Sequence, residues 1–404
     1  MSRNSQFKQE ANVCPSCLGT DLSVFYKVEN VPVHSVVLLR SKQEAIDFPQ
    51  GDIALGYCKL CGFVTNLVFD STQQDYSHEY EATQAYSATF NHFNHQLANN
   101  LIARYQLLGK RIIEIGCGQG EFLSMLCKIG KNSGIGFDPA YEPERQIEPL
   151  AERVQIISDY YTEKYASHQV DFICCKMTLE HIHPTLDFVS MIRRSIGEQL
   201  EAVVFFQVPN ASYVFGDLAF WDVYYEHCSY FNERSITGLF QRSGFEVLDL
   251  WNEYDDQYLM IEAKPVENTN ANKIIQYNGL VEMGAEIEQF ARLVPQKKEL
   301  WVERLQQYRA NHQKIVLWGG GSKAVAFLTS LNLPQELVEY AVDINPNKTG
   351  TFLPGSGQEI VAPQQLKDIK PDVVIVMNPI YQDEILAQLH ELNIHPNVHS
   401  VEDI

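Results

Sequence analysis

Positive charge is scarce in this 404-residue chain: 31 Lys and Arg face 51 Asp and Glu, leaving a formal net charge of -20. A broad nucleic-acid surface is therefore not expected, and any anionic ligand must be held by a local set of donors. Long apolar runs are missing too. None approaches the roughly 20 residues that cross a bilayer, and the first residues, MSRNSQFKQE, have no apolar signal core. Neither nucleic acid nor a membrane is expected as a partner, and a cytoplasmic location is expected. Disorder is excluded by composition, since 45% of residues are hydrophobic and 20% charged. The length predicts about two or three domains.

Nine cysteines without an export signal point to reduced thiols or metal ligands more than to disulfides. Cys14-Pro-Ser-Cys17 and Cys58-Lys-Leu-Cys61 form two C-x-x-C pairs, each able to place two thiolates on one metal from a tight turn. Gly19 and Gly62, just after each pair, suit such a knuckle. Four cysteines leave no open coordination position, so a zinc held there is expected to be structural.

From Asp75 to Leu108 the pattern predicts a helix, with Phe90, Phe93, Leu97 and Leu101 at three- and four-residue spacing. RIIEIGCGQGEFLSML then reads as a buried strand, a glycine-rich turn and a helix. Gly116, Gly118 and Gly120 allow a ligand to approach the backbone where a helix begins. SGIGFDPAY is a second strand ending in Asp138, placed to accept bonds from ribose hydroxyls. VQIISDYY, VDFICCKMTLEHI and AVVFFQVPN follow as further strands. Strands alternating with helical segments predict an α/β fold with a doubly wound parallel sheet, its ligand at the carboxyl ends of the strands.

The E-x-G-x-G-x-G turn opening at Glu114 makes residues 109–262 resemble class I methyltransferases dependent on S-adenosylmethionine (SAM). The resemblance implies that Gly116, Cys117, Gly118 and Gly120 line the methionine part of SAM, with Glu114 an anion near the cationic cofactor, that Asp138 holds the ribose, and that Asp159 and Tyr160 lie beside the adenine. The order of a four-cysteine segment, this core and the carboxyl-terminal region extends it to the sugar C-methyltransferase family. Those enzymes methylate a carbon of a nucleotide-linked keto-deoxysugar. In that family a Y-x-x-x-Y…S element closes over SAM, and Tyr76, Tyr80 and Ser87 have its spacing. The family's Y-x-E-H-x-S-Y-F motif reads here Tyr224-Tyr225-Glu226-His227-Cys228-Ser229-Tyr230-Phe231.

Chemistry accounts for those residue types. Methylating carbon requires removing a proton next to a ketone, which suits a histidine titrating near neutrality. The developing enolate oxygen needs a donor, which Tyr224 can supply. Glu226 is expected to orient His227 or raise its basicity, and His181 to reach the same rim as a second donor.

Residues 263–311 are polar and helical, with Leu280, Met283, Ile287, Phe290 and Val294 on one face. KIVLWGGGSKAVAFL is a second strand, glycine turn and helix, in which Gly319, Gly321 and Ala324 satisfy G-x-G-x-x-A, and Asp343 ends the next strand. From these residues alone the segment is a candidate NAD site. The later FLPGSGQEIVAP and PDVVIVMNPIY, with Asn378, Pro379 and Tyr381, resemble the family's nucleotide-sugar domain. Bare amides at a helix start, with Ser322 and Lys323, can bind a diphosphate in either case.

Three parts are thus expected: a zinc-binding domain (1–72), a Rossmann-like methyltransferase core with a helical lead-in (73–262), and a helical linker with a second Rossmann-like domain (263–404). The resemblance implies a SAM-dependent C-methyltransferase with structural zinc and a nucleotide-linked sugar substrate, as a monomer or homodimer. A methyltransferase acting on oxygen, nitrogen or a non-sugar carbon acid, and a bifunctional protein with an NAD-binding carboxyl-terminal domain, remain alternatives.

Overall fold

The computed structural model describes residues 13–267 and 280–404 except Asp75, Ser77 and His78. Three sheets organise these residues. The first is assembled by β1 (Leu22–Pro32), β2 (Gln50–Cys58) and β3 (Val64–Asn66), paired antiparallel, with the short α1 (Lys42–Ile46) between β1 and β2.

α2 (Ala88–Tyr105) leads into the second sheet and is shorter than its sequence pattern suggests. Ser87 caps its start by accepting from the Phe90 amide at 3.2 Å, and Gln106 ends it in a left-handed conformation. The polar stretch before Ser87 has no apolar face to hold a helix.

β4 (Arg111–Ile115), α3 (Glu121–Gly130), β5 (Ser133–Phe137), β6 (Val154–Ile157), β7 (Phe172–Lys176), α4 (Thr185–Ile196) and β8 (Val203–Pro209) follow. After β8 come α5 (Ala211–Gly216), β9 (Ser229–Tyr230), α6 (Glu233–Arg242), β10 (Phe245–Glu253) and β11 (Tyr258–Pro265). The seven-stranded sheet has the order β10-β11-β8-β7-β4-β5-β6. The strands from β8 to β6 pair parallel, whereas β11 runs antiparallel to both β8 and β10. Apolar β7 and β8 are covered on both faces, as the centre of a parallel sheet requires.

The expected sheet is therefore parallel over its core and mixed at one edge. The difference comes from the β10–β11 hairpin, whose turn sets Tyr254, Asp255 and Asp256 successively at positive φ.

The long α7 (Leu280–Ala310) buries Met283, Ile287, Phe290 and Val294; the side chain of Leu280 lies outside the described residues. Beyond it come β12 (Ile315–Trp318), α8 (Ser322–Leu331), β13 (Tyr340–Val342), β14 (Glu359–Val361), α9 (Leu366–Ile369), β15 (Val373–Val376), α10 (Gln382–Glu391) and β16 (Asn397–Ser400). Their sheet is wholly parallel, in the order β14-β13-β12-β15-β16. Two Rossmann-like α/β units beside a small amino-terminal sheet match the expected fold class.

The parts interlock. β9, from the stretch between β8 and α6, pairs with β3 and so completes the amino-terminal sheet. The carbonyl of Pro15 accepts from the Leu186 amide, and that of Ser16 from Arg242 Nε, tying the first cysteine knuckle to α4 and α6. Among the described residues, no helix is long and apolar enough to cross a membrane.

Candidate active site

The cysteine pairs converge. Cys14 and Cys61 Sγ lie 3.7 Å apart, Cys17 and Cys58 Sγ 3.6 Å apart, and all four sulfurs lie within 4.8 Å of one another. A tetrahedron with metal–sulfur bonds of about 2.3 Å has edges of about 3.8 Å, so the donor set fits a zinc ion. Cys14, Cys58 and Cys61 are packed into the core formed by α4, α6 and the central strands, with Cys17 half-buried beside them.

At the carboxyl end of β4, Gly116, Gly118 and Gly120 all have positive φ, which other residues adopt only at a cost. A methyl group added at Gly116 would fall 2.0 Å from Thr178 Oγ1, so the turn abuts the segment after β7. One added at Gly118 would meet nothing within 4 Å, which leaves an open face for a ligand. Asp138 Oδ2 accepts from the Gly118 amide at 2.8 Å, and Oδ1 from the Ala140 amide at 2.8 Å. Burial pushes this carboxyl up to about 6. Glu114 is buried beside Lys176, and its Oε2 has no hydrogen-bond partner. Cys117 is buried within the turn. An open glycine cradle, an acid at the tip of the next strand and an unsatisfied buried carboxylate together fit a cationic nucleoside ligand such as SAM.

Asp159 accepts from Tyr165 Oη at 2.7 Å and is paired with Lys164, while Tyr160 is 56% exposed. Both follow β6, the strand that pairs with β5.

A cavity of about 320 Å³ opens between the second and third sheets. On one side it is lined by Tyr80, Ser87, Glu180, His181, Tyr224 and His227, and on the other by Gly319, Gly321, Ser322, Lys323, Asp343, Asn378 and Tyr381. Ser87, besides capping α2, donates to Glu384 at 2.8 Å and so bridges to the last domain. Tyr80 packs edge-on against Tyr76 and His34. Lys323 Nζ is 2.6 Å from Asp222 Oδ1, and Lys348 Nζ is 3.2 Å from Asp343 Oδ2. Asn378 exchanges side-chain bonds with Gln257, and Tyr381 Oη donates to Gln84 at 2.8 Å.

His227 is 6% exposed, and its Nε2 lies 2.9 Å from Tyr224 Oη. Its ring meets that of His181 edge-on with centroids 4.9 Å apart, and His181 Nδ1 is 3.0 Å from Tyr76 Oη. Desolvation holds His227 well below 6.5 and brings His181 down to about 4, so both rings are neutral bases near pH 7.

Glu226 corrects an expectation. Its carboxylate does not meet His227. Oε1 lies 3.0 Å from His34 Nδ1, and Oε2 accepts from the Ser35 amide at 2.9 Å and from the Ser35 hydroxyl. The carboxyl group facing His227 is instead Glu180, with Oε1 4.0 Å from Nε2. Glu180 precedes His181 within LEHI, and the only signal it carries in the sequence is that neighbour. Asp222, Gln257 and Lys348, which the fold brings to the cavity, had no local signal, nor had His34 and Ser35, which it brings to Glu226.

With this geometry established, the comparisons with known proteins are specific. A family model described as a methyltransferase domain matches residues 90–250, and one described as a C-methyltransferase C-terminal domain matches residues 276–395. The C-methyltransferase NovU of Streptomyces niveus is 23% identical over 293 residues, covering 69% of this chain and 68% of that protein. The chain is a SAM-dependent C-methyltransferase. This bears out the resemblance drawn from the E-x-G-x-G-x-G turn and the order of the three parts.

Among solved structures, the C-methyltransferase is similar to magnesium protoporphyrin IX methyltransferase (ChlM) of Synechocystis PCC 6803 with bound S-adenosylhomocysteine. That likeness has 13% identity and a TM-score of 0.36, over 46% of this chain and 89% of that one. A Burkholderia thailandensis 1,6-didemethyltoxoflavin-N1-methyltransferase is 14% identical with a TM-score of 0.34, over 43% and 79%. SAM is the methyl donor of this C-methyltransferase, and residues 276–395 of its carboxyl-terminal half match a C-methyltransferase C-terminal domain.

Proposed function

We propose that the enzyme methylates a carbon next to the ketone of a nucleotide-linked keto-deoxysugar, with His227 as general base. The observation that supports this reading is the single cavity that has His227, Tyr224 and His181 on one wall and the second glycine turn with Lys323 on the other. A substrate with a reactive sugar at one end and a diphosphate at the other matches that division. Gly321 and Ser322 offer backbone amides at the start of α8, and Lys323 adds a positive charge, on a protein whose net charge is -20. Asp343, Asn378 and Tyr381 then contact the nucleoside.

In the free protein Tyr224 Oη satisfies His227 Nε2. When the sugar enters, the hydroxyl turns to the keto oxygen and Nε2 is released to face the neighbouring carbon. His227 takes the proton, the C–H electron pair moves into the enolate, and Tyr224 donates to the oxygen that gains charge. Glu114, Gly116, Gly118 and Asp138 would hold SAM, whose methyl group would pass to that carbon and leave S-adenosylhomocysteine. His181, fixed by Tyr76, offers a second donor at the same rim. Cys14, Cys17, Cys58 and Cys61, which do not line the cavity, would hold a structural zinc.

The test is methyl transfer from isotopically labelled SAM to a panel of nucleotide-linked keto-deoxysugars. A new carbon-bound methyl group in the product is expected, and His227→Ala should lose a factor of about 100 or more, the scale of a lost general base. A methyl group delivered to oxygen or nitrogen, or near wild-type turnover by His227→Ala, would overturn the reading.

A further inference from the structure

Glu226 is fully occupied by His34 and Ser35, which leaves His227 without the carboxylate that its motif seemed to supply. Glu180 stands in that place. It lies in the turn after β7 and lines the cavity. It is 0% exposed, and neither of its oxygens has a hydrogen-bond partner. A buried carboxyl in that condition costs stability, because its lost hydration is replaced by nothing. The loss is tolerable where the group acts.

Resting on the assignment of His227 as the base, we propose that Glu180 is the positioning residue that supports His227 through proton transfer. His227 Nε2 faces both Tyr224 Oη, at 2.9 Å, and Glu180 Oε1, at 4.0 Å. While the ring is neutral, Tyr224 is its hydrogen-bond partner. Once Nε2 has taken the proton from carbon, with the C–H pair left in the enolate, the ring carries a positive charge and a new N–H. Tyr224 has then turned to the enolate oxygen, and Glu180 is the remaining acceptor within reach. Closing the gap by about 1 Å gives a charge-assisted hydrogen bond.

Burial supports the pairing. It pushes Glu180 up to about 8 and holds His227 well below 6.5, so each charged form is unfavourable alone and the two favour one another together. The backbone keeps the partners in register, since Cys228 Sγ meets the Glu180 carbonyl at 3.6 Å and Ser229 Oγ donates to the Ile182 carbonyl at 2.9 Å.

Glu180, His181 and His227 also present donor atoms within 4.8 Å of one another, a spacing that a divalent cation could use. A metal there would occupy the base, so the two arrangements exclude each other.

The experiment compares Glu180→Gln with wild type and His227→Ala in full-length, zinc-loaded protein. Glu180→Gln should melt no lower than wild type and keep SAM affinity and sugar KM within about twofold. Its kcat should fall about tenfold or more, with solvent deuterium exchange into the sugar falling in parallel. Should the amide variant not fold, Glu180→Leu takes its place with the same expected loss. Wild-type kcat in a folded Glu180 variant, with His227→Ala inactive, would overturn this role and leave the base assignment standing. An active His227→Ala would overturn both. Activity abolished by chelation with the four-cysteine zinc retained, and restored by added Mg²⁺, Mn²⁺ or Zn²⁺, would replace the proton-transfer role with a metal site.

Discussion

Replacing Glu226 tests how far the structure departs from the motif. Its carboxylate is 1% exposed and receives three hydrogen bonds, from His34 Nδ1, the Ser35 amide and the Ser35 hydroxyl. Ser35 Oγ is also 2.8 Å from Ser322 Oγ, so one carboxylate ties the amino-terminal segment, the motif loop and the start of α8 together. Glu226→Ala removes all three acceptor contacts and takes from the buried His34 Nδ1 and Ser35 amide the carboxylate they share. Breaking a buried pair of this kind costs about 3–5 kcal/mol. Urea unfolding followed by fluorescence measures it, with an unchanged denaturant slope showing that the folded state is otherwise intact.

The sign with pH follows from the same contacts. Burial works to raise the carboxyl, but the His34 and Ser35 hydrogen bonds prevail and hold it below its ordinary 4.5. Its stabilisation is therefore present above pH 4.5 and lost as pH falls through the lower folded value, where variant and wild type should converge. A Glu226→Ala protein within about 1 kcal/mol of wild type at neutral pH would refute the reasoning. So would one of full stability with no proton transfer, which would return Glu226 to His227.

Further outcomes follow from the other sites. Elemental analysis should find one zinc per chain, and Cys58→Ser should destabilise the fold while sparing chemistry in what remains folded; less than about half an equivalent of metal would count against the site. SAM affinity should weaken as pH falls through about 6, where Asp138 protonates and loses acceptor capacity for the ribose; a pH-independent dissociation constant from calorimetry would contradict that role. Lys323→Met should raise the KM for the nucleotide sugar about tenfold or more, the scale of a lost charge-assisted contact, with SAM affinity unchanged. Equal weakening of both ligands would mean that the substitution disturbs the cavity as a whole.

Local signals were legible in the sequence. The cysteine pairs, both strand–glycine–helix turns and Asp138 each declare themselves within a few residues, because a turn at positive φ or a tight knuckle restricts its own residues. Long-range partners were not. Glu226 meets a histidine 192 positions away, and Lys323 an aspartate 101 positions away, which no spacing rule can foresee. Glu226 and His227 are neighbours in sequence, yet the loop turns their side chains to different partners. The β10–β11 hairpin escaped notice because Tyr254-Asp255-Asp256 carries no glycine or asparagine to announce its turn. The helix expected over Asp75–Leu108 is observed as Ala88–Tyr105, which contains its whole apolar face of Phe90, Phe93, Leu97 and Leu101; Asp75, Ser77 and His78 lie outside the described residues.

The most direct test separates proton removal from methyl transfer. The protein is incubated in heavy water with S-adenosylhomocysteine and a nucleotide-linked keto-deoxysugar, and deuterium at the carbon next to the ketone is read by NMR. Wild type should exchange that position, and His227→Ala should do so about 100-fold more slowly with ligand affinities retained. Exchange at the wild-type rate in His227→Ala would contradict the account and pass the base to His181.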